Sequence, residues 1–199
     1  MTFDFEQDYT LEDERVILRP LALSDYEHLL PYALHQQDIW TYSLIQAIGE
    51  DGLQHYLTLA LEGRKERREY AFSVYDKQSG TYVGSTRFYD IQLSNKSVQL
   101  GYTWYAKEQQ GTGINTHCKF LLLQFAFEQM EMERVEFRAD TNNARSIAAM
   151  KSIGCTVEGV LRSHGLKPDG SRRDSIVLSI LKAEWYDKVK AHLQQKMNP

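Results

Sequence analysis

The chain contains 199 residues, of which 42% are hydrophobic, and it carries a formal net charge of −4 at pH 7. This length is enough for one domain with a full core, and the negative charge argues against a general affinity for nucleic acid. No stretch is long and apolar enough for a membrane span, and two cysteines, Cys118 and Cys155, are too few for a disulfide framework, so we expect a cytoplasmic protein in a reducing compartment.

The first part of the chain predicts a strand followed by two helices. Residues 15–21 alternate like a strand, and residues 24–27 form a capping box that predicts a helix to about His35. A second helix is predicted from Glu50 to about Arg67. Its predicted apolar face contains Leu53, Tyr56, Leu57, Ala60 and Leu61, and its basic end, interpreted as solvated, contains Arg64, Lys65, Arg67 and Arg68.

Three predicted strands come next, at residues 70–76, 82–91 and 97–105. They are separated by residues 78–80 and 94–95, which are typical turn residues. Strands joined by short turns pair with their neighbours, so this region predicts an antiparallel meander.

Helices and strands alternate in the rest of the chain. The predicted elements are a helix at 114–130, a strand at 134–139, a helix at 144–153, a strand at 156–162, a turn at 167–170, a strand at 172–181 and a helix at 182–196. A meander followed by this βαβα pattern predicts an α/β (α+β) fold with one mixed sheet. We assign residues 15–199 to a single domain and residues 1–14 to an N-terminal extension.

A glycine-bracketed loop, Gln-Gly-Thr-Gly-Ile-Asn, lies between Gln110 and Asn115, after a predicted strand and before a predicted helix. Glycines let backbone N–H groups approach an anion, and the helix adds unpaired N–H groups and the positive end of its dipole. The loop lacks the third glycine of the dinucleotide fingerprint and the Gly-Lys-Ser/Thr of the P-loop. The pattern therefore indicates either a phosphate-binding loop or an ordinary strand-to-helix turn.

Five motifs occur in a fixed order along the chain: Leu-Gly-Tyr-Thr-Trp-Tyr at 100–105, the glycine loop at 110–115, Asp-Thr-Asn-Asn-Ala-Arg-Ser at 140–146, Lys-Ser-Ile-Gly at 151–154 and Glu-Gly-Val-Leu-Arg at 158–162. In this order they resemble the motifs of the GNAT superfamily of acyl-CoA-dependent N-acetyltransferases. The chain is most similar to the Rim-type branch, the ribosomal-protein N-terminal acetyltransferases, from about Arg15 to Trp185. The resemblance implies the GNAT fold, with a splayed central strand pair, and acetyl-CoA as co-substrate without a metal.

The resemblance also implies which residues bind the cofactor. The backbone of the loop would hold the pyrophosphate of coenzyme A; its residues are Gln110, Gly111, Thr112, Gly113, Ile114 and Asn115. Asn115 stands where the family usually has Gly or Ala. Trp104 and Tyr105 match the end of the strand whose backbone pairs with the pantetheine arm, although their side chains are equally typical of core packing.

Asn143 and Ser146 match the Asn and Ser of the family's Asp-x-x-Asn-x-x-Ser stretch, and Lys151 matches its Lys before Leu/Ile-Gly. The resemblance makes Ser146, Asn143 and Tyr105 the candidate catalytic residues, Tyr105 through a backbone N–H near it, and adds Asn143 and Lys151 to the cofactor contacts. Asn143 could instead be a helix cap, and Lys151 a solvated lysine at a helix end.

No general base is evident from the motifs. Many relatives have a Glu two residues before the Gly-Tyr pair, but this sequence has Gln99, which cannot accept the proton. Asp90, Glu158, His164 or a chain of waters are the alternatives. The segment 163–170 looks like the hairpin that contacts the acceptor in related enzymes, and Asp174 is interpreted as a partner of Arg162 or Arg173 inside the sheet.

The resemblance implies transfer of an acetyl group from acetyl-CoA to a primary amine by direct attack in a ternary complex. We expect the acceptor to be a protein or peptide N-terminus. A small-molecule amine such as an amino acid, a polyamine or an antibiotic is one alternative, and a non-catalytic acyl-CoA sensor is another. Trp40, Tyr42 and Leu44 could form an apolar contact in a homodimer, or they could belong to the core.

Overall fold

The computed structural model describes residues 3–197, which form one mixed sheet of eight strands. The strands are β1 (Leu11–Glu12), β2 (Val16–Pro20), β3 (Tyr70–Asp76), β4 (Thr81–Gln92), β5 (Ser97–Tyr105), β6 (Arg134–Asp140), β7 (Thr156–Leu166) and β8 (Arg172–Leu181). Their order in the sheet is β1-β2-β3-β4-β5-β6-β8-β7. All neighbours are antiparallel except β5 and β6, which run parallel.

The helices connect and cover these strands. They are α1 (Tyr26–His35), α2 (Gly49–Lys65), α3 (Ile114–Gln124), α4 (Ala144–Ser152), α5 (Lys182–Glu184) and α6 (Lys190–Met197). A π-helical turn at Phe125–Gln129 extends α3, and another at Trp185–Val189 joins α5 to α6. Short 3-10 turns lie at Leu23–Asp25, Gln37–Trp40 and Lys107–Gln109. Within residues 3–197, no helix has the length and apolar character needed to cross a membrane.

The predicted mixed α/β architecture is confirmed, and so is the antiparallel meander of β3, β4 and β5. The predicted helix at 114–130 and the terminal helix form with their π-helical turns included. The strand predicted at 156–162 is longer than expected, because β7 continues to Leu166 and forms a long hairpin with β8.

The predicted capping box at the start of α1 is wrong. A 3-10 turn precedes the helix, so the capping carboxylate is that of Asp25, whose Oδ2 accepts a hydrogen bond from the backbone N–H of Ala22 at 2.9 Å. Asp25 is fully buried, where it also accepts from Ser73 and forms an ion pair with Arg19. Ser24 and Glu27 are both exposed, and the buried Asp25 provides the capping side chain in their place.

Residues 3–14 pack against the rest of the sheet. Phe3 and Phe5 are buried, and β1 pairs with β2. Arg64, expected to be solvated, instead donates from Nε to the backbone oxygen of Phe5 at 2.7 Å and pairs with Asp8 at 2.7 Å. The basic end of α2 therefore partly serves to hold the N-terminal segment.

The core consists of two apolar clusters on opposite faces of the sheet. One contains residues of α1 and α2, and the other contains α3 and the terminal helix. Trp40 belongs to the first, where its ring lies 5.0 Å from that of Trp104, so it is not an exposed contact, whereas Tyr42 and Leu44 are exposed. Cys118 and Cys155 are free and buried.

Candidate active site

The two parallel strands at the centre of the sheet separate after a short paired stretch. β5 pairs with β6 at Ser97–Gln99 against residues 134–136, and within residues 3–197 no later pair joins them. Each strand continues, to Tyr105 and to Asp140, held only by its other neighbour. We call residues 100–105 of β5 and 137–140 of β6 the splay. The splayed central strand pair that the resemblance implies is therefore present, and its facing edges carry backbone groups that do not pair with each other.

A β-bulge lies on the β5 side of the splay. Arg87 of β4 is opposite Gly101, but Ser85 is opposite Trp104, so β5 has one residue more than β4 in this stretch. Tyr102 takes up the difference with a φ of 49°. Bulges twist a strand and leave the extra residue outside the ladder. After the bulge, Trp104 lies in the α1–α2 cluster and Tyr105 in the α3 cluster.

The glycine loop follows β5 directly and opens α3. Gly111 and Gly113 have φ values of 84° and 91°, and a Cβ placed on either would meet no atom within 4 Å. Glycine is needed here for its backbone conformation, because L-residues with a side chain adopt positive φ only at a cost. Gly113 is the N-cap of α3, and its carbonyl accepts from the N–H groups of Thr116 and His117, which leaves the N–H groups of Ile114 and Asn115 without an intrahelical partner.

Two side chains tie the loop to its neighbours. Gln110 donates from Nε2 to the backbone oxygen of Tyr105 at 2.9 Å, and its Oε1 accepts from Arg145 of α4. The hydroxyl of Tyr105 donates to Oδ1 of Asn115 at 3.3 Å. Arg145 was missed in the sequence because its place beside the loop depends on how α4 packs. It is exposed and brings a positive charge next to the predicted phosphate site.

The predicted residues of α4 are arranged around its first turn. Asn143 caps the helix, since its Oδ1 accepts from the backbone N–H of Ser146 at 3.0 Å. The cap uses one oxygen of the amide, which also carries two N–H donors. Ser146 is half-buried, and Lys151 is exposed in the last turn. The structure therefore assigns Asn143 a capping role without using its donor groups.

The aromatic pair at the end of β5 is buried on both faces. Trp104 packs between Trp40 and Tyr32, with ring centroids at 5.0 and 5.9 Å. Burial raises the pKa of Tyr105 well above its ordinary value, so its phenol remains protonated. Ile114 is buried too. The side chains of these three residues fill the core, which leaves their backbone groups for any contact with a ligand.

Two of the base candidates from the sequence already have partners. Arg134 lowers the pKa of Glu158 by hydrogen bonding, and Ser179 also donates to this carboxylate. Arg138 donates to Nε2 of His164 at 3.0 Å, and burial and the charge of Arg138 lower the pKa of this histidine. Both residues lie on β7, which β8 and β6 separate from β5 in the sheet, so neither is placed at the point where β5 and β6 part.

A carboxylate that sequence analysis missed lies at the point where β5 and β6 part. Glu136 is directly opposite Gln99 in the last pair of the parallel ladder, so both side chains are on the same face. Glu136 accepts from Arg134 at 2.8 Å and from Arg138 at 2.6 Å. Only the strand register places it there, since Glu136 and Gln99 are far apart in the sequence.

A polar cavity of about 200 Å³ adjoins this point. It is lined by Asp90, Gln99, Arg134 and Glu136, among other residues. Gln99 donates from Nε2 to Oδ2 of Asp90 at 2.8 Å. Two carboxylates and Arg134 therefore line a small open space at the paired end of the two strands, which reaches the last pair, Gln99 and Glu136.

The hairpin of β7 and β8 differs from the prediction in one contact. Asp174 accepts from the backbone N–H of Ser163 at 2.6 Å, and this contact replaces the predicted partners Arg162 and Arg173. Ser163 has a φ of 52°, a conformation that breaks the regular β7 backbone. The carboxylate satisfies the N–H that this irregular turn leaves out of the ladder.

Among the described residues, one group of side chains could hold a metal ion: Asp13, Glu14 and His117. Asp13 accepts from His117 at 2.8 Å and from the backbone N–H groups of Arg15 and Val16 at 2.9 Å. These contacts account for the position of Asp13 as a turn residue that links β2 to the first turns of α3.

Comparison with known proteins agrees with this geometry. The family model "Acetyltransferase (GNAT) domain" matches residues 15–156. A Bacillus subtilis protein named "Putative ribosomal N-acetyltransferase YdaF" is 36% identical over 106 residues, which are 53% of this chain and 57% of that protein. The chain thus matches little more than half the length of this relative.

Two solved structures are similar over nearly their whole length. A crystal structure described as a "putative acetyltransferase" is 30% identical with a TM-score of 0.86, covering 99% of this chain and 96% of the other. RimJ of Mycobacterium smegmatis, solved in complex with CoA-disulfide, has a TM-score of 0.79 at 20% identity, covering 94% and 93%. The second likeness, at this identity, is one of fold.

Proposed function

This chain belongs to the GNAT acetyltransferase family, and on that premise we propose that it transfers an acetyl group from acetyl-CoA to a primary amine by direct attack in a ternary complex. One observation carries the proposal: the glycine loop with its two positive-φ glycines opens at the end of the splay. An anion site and an unpaired strand edge next to each other suit a ligand that has a diphosphate at one end and an extended arm at the other.

In this proposal the backbone of residues 110–115 binds the diphosphate of acetyl-CoA, and Arg145 and Lys151 add positive charge around it. The pantetheine arm pairs with β5 along Trp104 and Tyr105. Asn143 contributes its free amide donors, because the cap uses only Oδ1. Supporting this, a helix N-terminus with unpaired N–H groups stabilises phosphate without any side chain.

The chemistry then needs little more than position. The amine nitrogen attacks the thioester carbonyl, an oxyanion forms, and the C–S bond breaks. Holding both reactants in place supplies about 7–11 kcal/mol in favourable cases. A backbone N–H of the bulged β5 stabilises the oxyanion. Ser146, half-buried in the first turn of α4, donates a hydrogen bond to the departing sulfur.

We assign the role of general base to Glu136, acting through water. It lies on the same face as Gln99 at the edge of the splay, beside the cavity with Asp90. The demand on this base depends on the acceptor, since an α-amino group has a pKa of about 7.7–8.0 and a lysine about 10.4. A carboxylate that is already paired with two arginines suits the less demanding α-amino group.

The acceptor that we favour is the N-terminus of a protein or peptide. The name of the 36% identical relative supports this choice, and so does the cavity with Asp90 and Glu136, which is open and polar. A small-molecule amine would use the same two carboxylates. The rates of acetylation of different amines distinguish a peptide N-terminus from a small-molecule amine as the acceptor.

The experiment is a thiol-release assay with acetyl-CoA and a matched set of amines. The set contains a peptide with a free N-terminus, the same peptide with a blocked N-terminus and one lysine, a polyamine and an aminoglycoside. We expect release with the free N-terminus above the blocked peptide. Thiol release with the small amines alone would show that the acceptor is a small-molecule amine and not a peptide N-terminus. Tight binding of acetyl-CoA without release by any amine would indicate a sensor and contradict the proposed activity.

Ser146→Ala tests the role of the hydroxyl in the same assay. The backbone N–H that Asn143 caps is still present in this variant, so the fold and the affinity for acetyl-CoA should persist while turnover falls. Unchanged turnover would remove Ser146 from the catalytic residues.

A further inference from the structure

A lysine is buried under the splay. Lys119 of α3 is only 5% exposed, and its Nζ donates to the hydroxyl of Thr103 on β5 at 2.8 Å. The ring centroid of Phe137 on β6 lies 5.9 Å from the same Nζ. The ammonium group therefore lies between the two central strands, on the α3 face, at the level where they have parted.

The ammonium group of Lys119 lacks a counter-ion among residues 3–197. In the part of the chain that the structure describes, no carboxylate forms an ion pair with Lys119. The titratable groups that act on it are the thiols of Cys118 on the same helix and of Cys155 just before β7. Burial raises the pKa of each thiol to about 12, so both are neutral. A buried charge without an opposite charge is costly, and the fold retains it here.

Burial also lowers the pKa of Lys119 to about 8, which leaves it mostly protonated at pH 7. Its hydrogen-bond acceptor is held in turn, because the hydroxyls of Thr103 and Thr86 lie 2.7 Å apart. Thr103 can accept from the ammonium group and donate to Thr86. The ammonium group of Lys119 is thus oriented by the uncharged hydroxyl of Thr103, and a stronger acceptor can replace this hydroxyl as its hydrogen-bond partner.

The chemistry of the site indicates which anion that acceptor would be. Lys119 is four residues beyond Asn115, about 6 Å further along the helix axis, so the diphosphate at the loop is not its natural partner. The pantetheine arm is uncharged. The negative charges that arise in the splay are those of the reaction, on the carbonyl oxygen and then on sulfur. Ser146 offers the sulfur a hydrogen bond but no readily released proton.

We propose that Lys119 is a catalytic residue of acetyl transfer, which hydrogen-bonds to the thioester sulfur and gives its proton to the thiolate. This inference rests on the proposed function. As the amine nitrogen bonds to the carbonyl carbon, the C–S bond breaks and its electron pair goes to sulfur, which takes a proton from Nζ. The surplus proton of the nitrogen leaves by way of Glu136 and water, and Lys119 is reprotonated from solvent after the products depart. Thr103 is a positioning residue for Nζ.

The test compares Lys119→Met with Lys119→Arg and with Lys188→Met. Met keeps the volume of the side chain without its charge. Lys188 is exposed and pairs with Glu184 one helical turn away, so its replacement controls for the lost charge. Thermal melts establish folding, calorimetry gives the dissociation constant for acetyl-CoA, and thiol release gives kcat and the pH dependence of kcat/KM.

We expect Lys119→Met to lose about 10²-fold or more in kcat, as is typical for removal of a general acid, while its affinity for acetyl-CoA changes little. The wild type should lose kcat/KM above a pKa near 8, and this limb should be absent from Lys119→Met and moved to higher pH in Lys119→Arg. Lys188→Met should match the wild type in every respect.

Several results would overturn the assignment. A folded Lys119→Met enzyme with unchanged kcat, or one that loses only affinity for acetyl-CoA, would contradict it. If Lys119→Met does not fold, the comparison of the wild type with Lys119→Arg tests the assignment. An identical loss of kcat/KM at alkaline pH in these two enzymes would contradict it. Wild-type enzyme that releases no thiol with any amine would instead contradict the proposed function itself, so the two failures are distinguishable.

Discussion

The two ends of the β5–β6 pair differ in how completely their charges are matched. At the paired end, Arg134 donates to both Glu136 and Glu158, and Arg138 donates to Glu136 as well. At the open end, the backbone has positive φ at Tyr102 and at the loop glycines. There the buried Lys119 has a hydroxyl partner but no carboxylate partner among the described residues. The two ends lie on the same two strands, a few residues apart.

This difference indicates what each end does. The ion pairs at the closed end fix the point at which the strands stop pairing, and they hold the carboxylate of Glu136 beside that point. The open end retains unpaired N–H groups, a strained bulge and an unmatched cation, all of which cost stability. Such costs concentrate where a ligand supplies the missing partners.

The largest expected effect comes from the loop. Gly113→Val should abolish binding of acetyl-CoA, because a β-branched residue strongly disfavours a φ of 91°. Wild type at about 100 times the dissociation constant should gain about 2.7 kcal/mol and melt about 5–10 °C higher, and the variant should show no such shift. Gly49→Val is the control, since Gly49 also has positive φ with open space around it. Normal binding by Gly113→Val would refute the phosphate-binding assignment.

Arg134 donates to both Glu136 and Glu158, so the Gln variants of these two residues each remove one of its carboxylate partners. Glu136→Gln should lower kcat by about 10²-fold or more, most of all with lysine acceptors, whose amines arrive protonated. Glu158→Gln should leave kcat unchanged, because its carboxylate lies on β7, which β8 and β6 separate from β5. Equal effects of the two changes on kcat would remove Glu136 as the base.

Lys119 should have a measurable effect on stability. Its folded pKa of about 8 lies below the unfolded value of about 10.4, so the unfolded chain holds this proton more tightly and the folded state gains stability as pH rises. Relative to Lys119→Met, the wild type should gain about 2–3 kcal/mol in free energy of unfolding between pH 7 and pH 10. Chemical denaturation at both pH values measures this, with Lys188→Met expected to stay parallel to the wild type. A constant difference would contradict the lowered pKa.

The Glu158 ion pair should show a smaller dependence of the opposite sign. Arg134 lowers the pKa of Glu158, so the contribution of the pair is present above the unfolded value of about 4.3 and is lost as pH falls through the lower folded value. Because the carboxylate is 39% exposed, we expect at most about 1 kcal/mol between the wild type and Glu158→Gln at pH 7. That difference should vanish in acid, and a difference that persists there would contradict the pairing.

Two substitutions at Asn143 distinguish its capping of α4 from binding of acetyl-CoA. Asn143→Ala should cost about 1 kcal/mol in stability, because the cap of α4 is lost. Asn143→Asp keeps a capping oxygen but loses the amide donors and adds a negative charge, so its stability should match the wild type while its affinity for acetyl-CoA falls. Normal affinity in the Asp variant would leave Asn143 with a capping role alone.

The sequence predicted the fold well because its signals are local. Alternation, apolar periodicity and turn residues placed the meander and the α3 region within a few residues. The predicted cap of α1 was wrong, because the position of Asp25 depends on its buried contacts with Arg19 on β2 and Ser73 on β3.

The site was predicted less completely, for a physical reason. Motif positions such as Gly113 follow from backbone conformation, which one segment can specify. Glu136 lies opposite Gln99 because of the register of two parallel strands. In the sequence, Lys119 is one polar residue in a predicted helix, and its contact with Thr103 depends on how that helix packs on the sheet. Residues whose role depends on such distant contacts cannot be recognised from spacing along the chain.

A crystal structure of the protein with acetyl-CoA would test the central claim most directly. The account predicts diphosphate oxygens within hydrogen-bonding distance of the backbone N–H groups of the glycine loop, the pantetheine arm paired with β5 in the splay, and the thioester sulfur beside Nζ of Lys119. A diphosphate bound elsewhere, or a pantetheine arm that lies outside the gap between β5 and β6, would contradict it.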